Sequence, residues 1–181
     1  MKKFVKILSL VFALCLSLSV FGRNLGVQHK TPTDIAYFNF VEIASGEYEI
    51  SAKDVNNLPS HIILPSVYNG GVVTKIAMQG FAGANITKIA IPSGYLVIGG
   101  YAFENCRNLS TIEWADTLQE LQQGCFSGCT GLYETVILPK SVQTIGSRAF
   151  ELCTNLQVVD LDANCSYDAT SFDSNVIINK I

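Results

Sequence analysis

Five phenylalanines set the frame for this chain of 181 residues. Phe81, Phe103, Phe126, Phe150 and Phe172 follow one another at intervals of 22, 23, 24 and 22 by subtraction. A period of about 20–29 residues marks a stacked solenoid, because one such unit cannot bury its own apolar face and needs neighbours on both sides. Other positions keep the same frame. Five residues ahead of the phenylalanines stand Ile76, Ile98, Leu121, Ile145 and, less well, Tyr167. Small residues, Ala102, Cys125, Ala149 and Ser171, directly precede the last four, and Ala84, Cys106, Cys129, Cys153 and Asn175 follow three residues behind.

A spaced apolar segment of the form L-x-x-I-x-I then recurs as Ile86, Ile89, Ile91, as Leu109, Ile112, Trp114, and as Leu156, Val159, Leu161. The copy at Leu132, Val136, Leu138 carries one extra residue, which accounts for the interval of 24. Each segment reads as a short strand whose alternate side chains enter the core, and its copies stack into a parallel sheet. Trp114 falls on an inward anchor and is assigned to the core. Asn85, Asn108, Gly131 and Asn155 stand just before the strands, where a left-handed corner is expected, and Gly99 and Gly146 suggest a second corner. Phenylalanine would fill the wide end of each turn.

The unit resembles the leucine-rich repeat of the BspA-like (Treponema pallidum type) surface proteins over residues 60–181. The resemblance implies a β-rich, right-handed solenoid of about five coils with a parallel sheet on one face. It also implies a role in adhesion to host or matrix proteins and in co-aggregation. Residues 36–59 read as an N-terminal β-hairpin cap and connector. Tyr37, Phe38, Phe40, Val41 and Ile43 precede a Ser45-Gly46 turn, and Tyr48 and Ile50 follow it. A first coil has no neighbour on its outer side, so an element of this kind is required there.

Residues 1–22, MKKFVKILSLVFALCLSLSVFG, combine a lysine-bearing start with an apolar run, the pattern of a secretory signal peptide. The alternative is a membrane anchor, but Val20 and Gly22 offer a cleavage site, and no integral span is expected after leader removal. Residues 23–35 read as a linker. Export would place the remaining five cysteines in an oxidising compartment. Cys106, Cys129 and Cys153 nevertheless share one repeat position and read as stacked small hydrophobes, with a disulfide between two of them conceivable. At the other end, Ile178 and Ile181 read as the first and second anchors of a further strand. That strand would leave an uncapped edge through which the chain could form a homo-oligomer.

Catalytic equipment is sparse. The chain has two histidines, His29 and His61, neither with a visible nucleophile as partner. The cysteines lack finger spacing for zinc. Asp160 to Asn164 begins like a calcium loop, but Cys165 stands where its glycine is required. No cofactor is expected, and a cryptic hydrolase is the weakest of the readings. A net charge of −3 gives no footprint for nucleic acid. What remains is a surface. The outward strand positions form one row of His61, Lys88, Thr111, Thr135 and Val158. A second row holds Ile63, Ala90, Glu113, Ile137 and Asp160. Solenoids bind through such faces, so these ten are the candidate residues for a protein partner on a host, matrix or neighbouring-cell surface. The rival reading makes the chain a structural module that pairs through its C-terminal edge.

Overall fold

A computed structural model describes residues 31–181. The leader, residues 23–30 of the linker and His29 lie outside the described residues.

Two antiparallel strands, β1 (Phe38–Ala44) and β2 (Glu47–Ala52), form the hairpin cap. Phe38 and Ile50 point inward from it and are buried. The end of the stretch read as linker is tied down. The Thr33 N–H donates to the Ile63 carbonyl at 2.9 Å, and the Thr33 hydroxyl accepts from the Ile63 N–H at 2.9 Å.

Six short strands carry the L-x-x-I-x-I segments: β3 (His61–Ile63), β6 (Lys88–Ala90), β8 (Thr111–Glu113), β10 (Glu134–Ile137), β12 (Leu156–Leu161) and β14 (Ile177–Lys180). The solenoid therefore has about six turns, one more than the phenylalanines alone count. Inward anchors such as Ile62, Ile89, Leu109, Leu156, Val159 and Leu161 are buried.

A second ladder, not anticipated from the sequence, runs along the opposite wall. It joins β2 to β5 (Gly71–Ile76), β7 (Val97–Ile98), β9 (Glu120–Leu121), β11 (Thr144–Ile145) and β13 (Ser166–Tyr167). The outlying β4 (Val67–Tyr68) pairs with β5. Apart from β2 and β5 these are two-residue strands, and each contains the apolar residue that stands ahead of a phenylalanine. All but Tyr167 are buried.

Between the two ladders the phenylalanines stack in one file. Ring centroids lie 5.4, 5.2, 5.3 and 5.4 Å apart from Phe81 to Phe172, with interplanar angles of 17° or less. Phe38 of the cap meets Phe81 edge-on at 6.1 Å and closes the file. Beside it runs a file of thiols: the Sγ of Cys106, Cys129 and Cys153 donate to the carbonyls of Phe81, Phe103 and Phe126, each at 3.1 Å. All five described cysteines are free thiols, so the conceivable disulfide is not formed.

Three expectations require correction. The left-handed residues are not the corner asparagines. Those that recur from turn to turn sit two residues before the phenylalanines, at Gln79, Tyr101, Gly124 and Arg148, and two after, at Gly83, Asn105, Gly128 and Leu152. The asparagines instead bond along the stack, Asn108 Nδ2 to Asn85 Oδ1 and Asn155 Nδ2 to the Thr130 carbonyl at 2.7 Å. Gly99 and Gly146 also have ordinary φ. A Cβ at Gly99 would stand 2.5 Å from the Ile76 carbonyl oxygen, and one at Gly146 would stand 2.7 Å from the Gln123 nitrogen, so glycine serves close approach between turns. The last strand is also shifted. Ile178 pairs with Val159, the second anchor, and Val176 packs against the core ahead of it, while Ile181 is 58% exposed.

Candidate functional site

The outward rows fall in register from turn to turn. His61 pairs with Lys88 and Lys88 with Thr111; Ile63 pairs with Ala90 and Ala90 with Glu113. Beyond them Thr135 pairs with Val158, and Ile137 with Asp160. His61, Thr111, Thr135 and Ile137 are exposed, whereas Ile63, Lys88, Glu113, Val158 and Asp160 are half-buried. Ala90 is buried and offers a partner little. Lys88 Nζ reaches Glu113 Oε1 at 2.6 Å across two turns, in a pair open to water. Ile137 stands 60% exposed, a large apolar side chain in register with Asp160 on a face that mixes apolar and polar residues.

The face is not continuous. One ladder joins β3, β6 and β8, another joins β10, β12 and β14, and among the described residues no pairing joins β8 to β10. A cleft of about 290 Å³ lies between them, lined by Ser110, Thr111, Ile112, Trp114, Leu132, Thr135, Val136 and Ile137. Its local cause is the extra residue of the third copy. Glu134 takes a left-handed φ of 57°, and the pairing of β10 with β12 shifts register there. The rows therefore divide into two groups: His61, Ile63, Lys88, Ala90, Thr111 and Glu113 on one side, and Thr135, Ile137, Val158 and Asp160 on the other.

Its inward anchor position assigns Trp114 to the core, and the ring packs against the core cluster. It meets Phe126 edge-on, with centroids 5.5 Å apart, but it is half-buried and forms part of the cleft wall. The spacing of 24 was the signal for the interruption, although spacing alone does not tell a loop from a bulge.

The chemistry available elsewhere is limited. Burial pushes the Cys106 and Cys153 thiols up to about 12, and raises Cys125 and Cys129 further, so these sulfurs are protonated donors rather than nucleophiles. Asp162 Oδ1 accepts from the N–H of Asn164 at 2.9 Å, and Asp160 Oδ1 accepts from Asn179 Nδ2 at 2.9 Å. The calcium-like stretch is thus a turn and a strand rung. No cluster of three metal-binding side chains occurs among the described residues. A broader groove of about 710 Å³ lies along the second ladder, beside Tyr101, Glu120, Gln122, Thr144, Tyr167 and Asp168. Several of its polar groups are already engaged. Gln122 Oε1 accepts from the Gly100 N–H at 3.1 Å, Gln122 Nε2 donates to Glu120 Oε1 at 3.2 Å, and Asp168 accepts from Thr170.

With the turns, strand rows and phenylalanine file established, the comparison with known families is decisive. The BspA type leucine rich repeat region matches residues 74–181 in six copies. The chain belongs to the BspA type leucine-rich repeat family. A leucine-rich repeat protein of T. pallidum is similar in structure, with a TM-score of 0.59, 27% identity, and 72% of each chain covered. A leucine-rich cell surface protein of Faecalibacterium prausnitzii gives 0.68 at 23% identity, covering 80% of this chain and 37% of that one. A leucine-rich repeat protein of Bacteroides ovatus gives 0.69 at 24% identity, covering 84% of this chain and 41% of that one. The chain thus spans well under half of the latter two, and at those identities they show the fold alone. No curated protein matches it. No helix among the described residues is long and apolar enough to cross a membrane.

Proposed function

We propose that this chain is an exported, non-enzymatic leucine-rich repeat protein that binds a partner protein at a cell surface through its strand face. The observation that carries the reading is the exposed Ile137, a large apolar side chain in register with Asp160 on a strand face that mixes apolar and polar residues and whose outward positions the repeat leaves free to vary. Among the described residues, the buried, protonated thiols and the exposed His61 bring no nucleophile and base into contact, which favours recognition over bond-making. The cell-surface description of the F. prausnitzii protein supports the proposed location, and so does the signal-like pattern of residues 1–22.

The test is capture of extracellular matrix and host surface proteins by residues 31–181, compared with the double variant Ile63→Asp and Ile137→Asp. Loss of capture at an unchanged melting temperature is the expected result. Capture that survives both charges would remove the strand face from consideration. A second reading has its own observation: β14 is the outer strand of its ladder and presents Ile177 at 60% exposure. If the chain assembles through that edge, light scattering will report a dimer or larger species that Ile177→Lys converts to monomer.

A further inference from the structure

We infer that the cleft between β8 and β10 is a slot for an extended apolar segment of a partner protein. One side chain would enter the cleft, and the segment's main chain would pair with the open strand edges. The inference rests on the strand-face reading and assigns a place and a chemistry within it.

Three observations carry it. The first is the ladder itself. Among the described residues, β8 pairs with β6 and β10 with β12, and neither strand has a partner strand on its other side. Backbone N–H and C=O groups of a strand require partners. An extended peptide supplies alternating donors and acceptors at strand spacing, which is the basis of recognition by strand addition. Small polar molecules and ions do not offer that repeat.

The second is the condition of the core at this point. The second and third inward anchors are buried where neighbours cover them, as at Ile89, Ile91, Val159 and Leu161. Their counterparts Ile112 and Trp114 are half-buried. Apolar surface that the other turns, except the last, hide from water is thus available in the slot, and covering it would be favourable at about 25 cal/mol per Å². Every lining residue is uncharged. An apolar side chain therefore matches the slot, whereas a phosphate or carboxylate group would find no counter-charge among the lining residues.

The third is that the opening is held at both ends. At the corner before β10 the turns touch: a Cβ at Gly131 would stand 2.7 Å from the Leu109 carbonyl oxygen. Past the strand, the Gln143 N–H donates to the Gln119 carbonyl at 2.8 Å. Contacts flank the gap, so it is a bulge of defined length within a continuous stack.

The single tryptophan of the chain lines the slot, which makes emission a direct readout. The probe is the capped peptide acetyl-Thr-Val-Leu-Val-Thr-amide, with acetyl-Thr-Glu-Gly-Glu-Thr-amide as control. The apolar peptide should give a saturable blue shift of Trp114 and slow hydrogen exchange at β8 and β10 amides, and the control should do neither. Thr135→Phe, at an exposed wall position, should weaken the response at least about tenfold. Thr154→Asp, an exposed position in the turn before β12 that lines no part of the slot, should leave it unchanged. The proposal is overturned if saturating peptide leaves Trp114 unmoved, if emission shifts without amide protection, or if Thr135→Phe binds like the parent chain. Partner capture that depends on Ile63 and Ile137 but ignores Thr135→Phe would sink the slot and leave the face reading intact. Peptide binding with capture indifferent to all three positions would do the reverse.

Discussion

The phenylalanine file offers the sharpest test of what holds the turns together. Phe126 is fully buried, with Phe103 at 5.2 Å on one side, Phe150 at 5.3 Å on the other and the edge of Trp114 at 5.5 Å. Phe126→Ala removes a ring that three aromatic neighbours contact, and adjacent turns cannot close on the void because their ladder fixes the spacing. Substitutions of this kind cost about 3–5 kcal/mol. For a domain of this size each kcal/mol lowers Tm by about 2–4 °C, so the expected fall is about 6–20 °C. In a solenoid, stability is the sum of turns and nearest-neighbour contacts. The loss should therefore also broaden the transition as the halves on either side uncouple. Thermal unfolding followed by far-ultraviolet circular dichroism and by Trp114 emission reads both effects. The matched control is Glu113→Ala, whose bridge to Lys88 is open to water and worth under about 1 kcal/mol. If Phe126→Ala melts within about 2 °C of the parent chain, or no lower than Glu113→Ala, the ring file does not carry the fold.

Burial raises the Cys106 and Cys153 thiols from 9.0 to about 12, so folding favours their protonated form. Stability from this source is complete below pH 9, falls as the unfolded chain ionises between about pH 9 and 12, and is lost above. Denaturation midpoints across that range should decline less steeply in a Cys106→Ala, Cys153→Ala variant. Gly99→Ala should destabilise by about 1–3 kcal/mol through the clash of its Cβ with the Ile76 carbonyl, read as a shift in denaturation midpoint at unchanged slope.

Large, regularly spaced side chains were the legible part of the fold. A phenylalanine every 22 to 24 residues fixes which atoms fill the centre of each turn, and the strand anchors that recur with it from Ile86 to Leu161 are buried except at Ile112 and Trp114. The second ladder was hidden because its regular strands are two residues long and show no alternation to read. The left-handed positions were hidden for a different reason. Tyr101, Arg148 and Leu152 have no intrinsic preference for that conformation and adopt it because their neighbours in the turn dictate the backbone path. The register of β14 was missed because the final turn reaches its second anchor earlier than the preceding turns do. Of the candidate face, the rows were readable from alternation, but the burial of Ala90 and the cleft at Trp114 depend on contacts between turns.

That cleft shows how a repeat protein can vary its binding face without weakening its core. The extra residue in the third copy could have been distributed around the whole turn, which would have displaced Phe126 from its neighbours. It was not: the ring spacings on either side of Phe126, 5.2 and 5.3 Å, match those elsewhere in the file, and β9 and β11 pair without a break. Gly131 confines the strain. With no Cβ, it lets the corner press onto the Leu109 carbonyl, and Glu134 takes up the surplus chain at positive φ. The insertion is therefore expressed only on the strand face. Deleting Glu134 should consequently rejoin β8 and β10, protect their amides from exchange and bury Trp114, with Tm equal to or above that of the parent chain. A deletion that instead lowered Tm and left Trp114 exposed would mean that the bulge belongs to the core and not to the face.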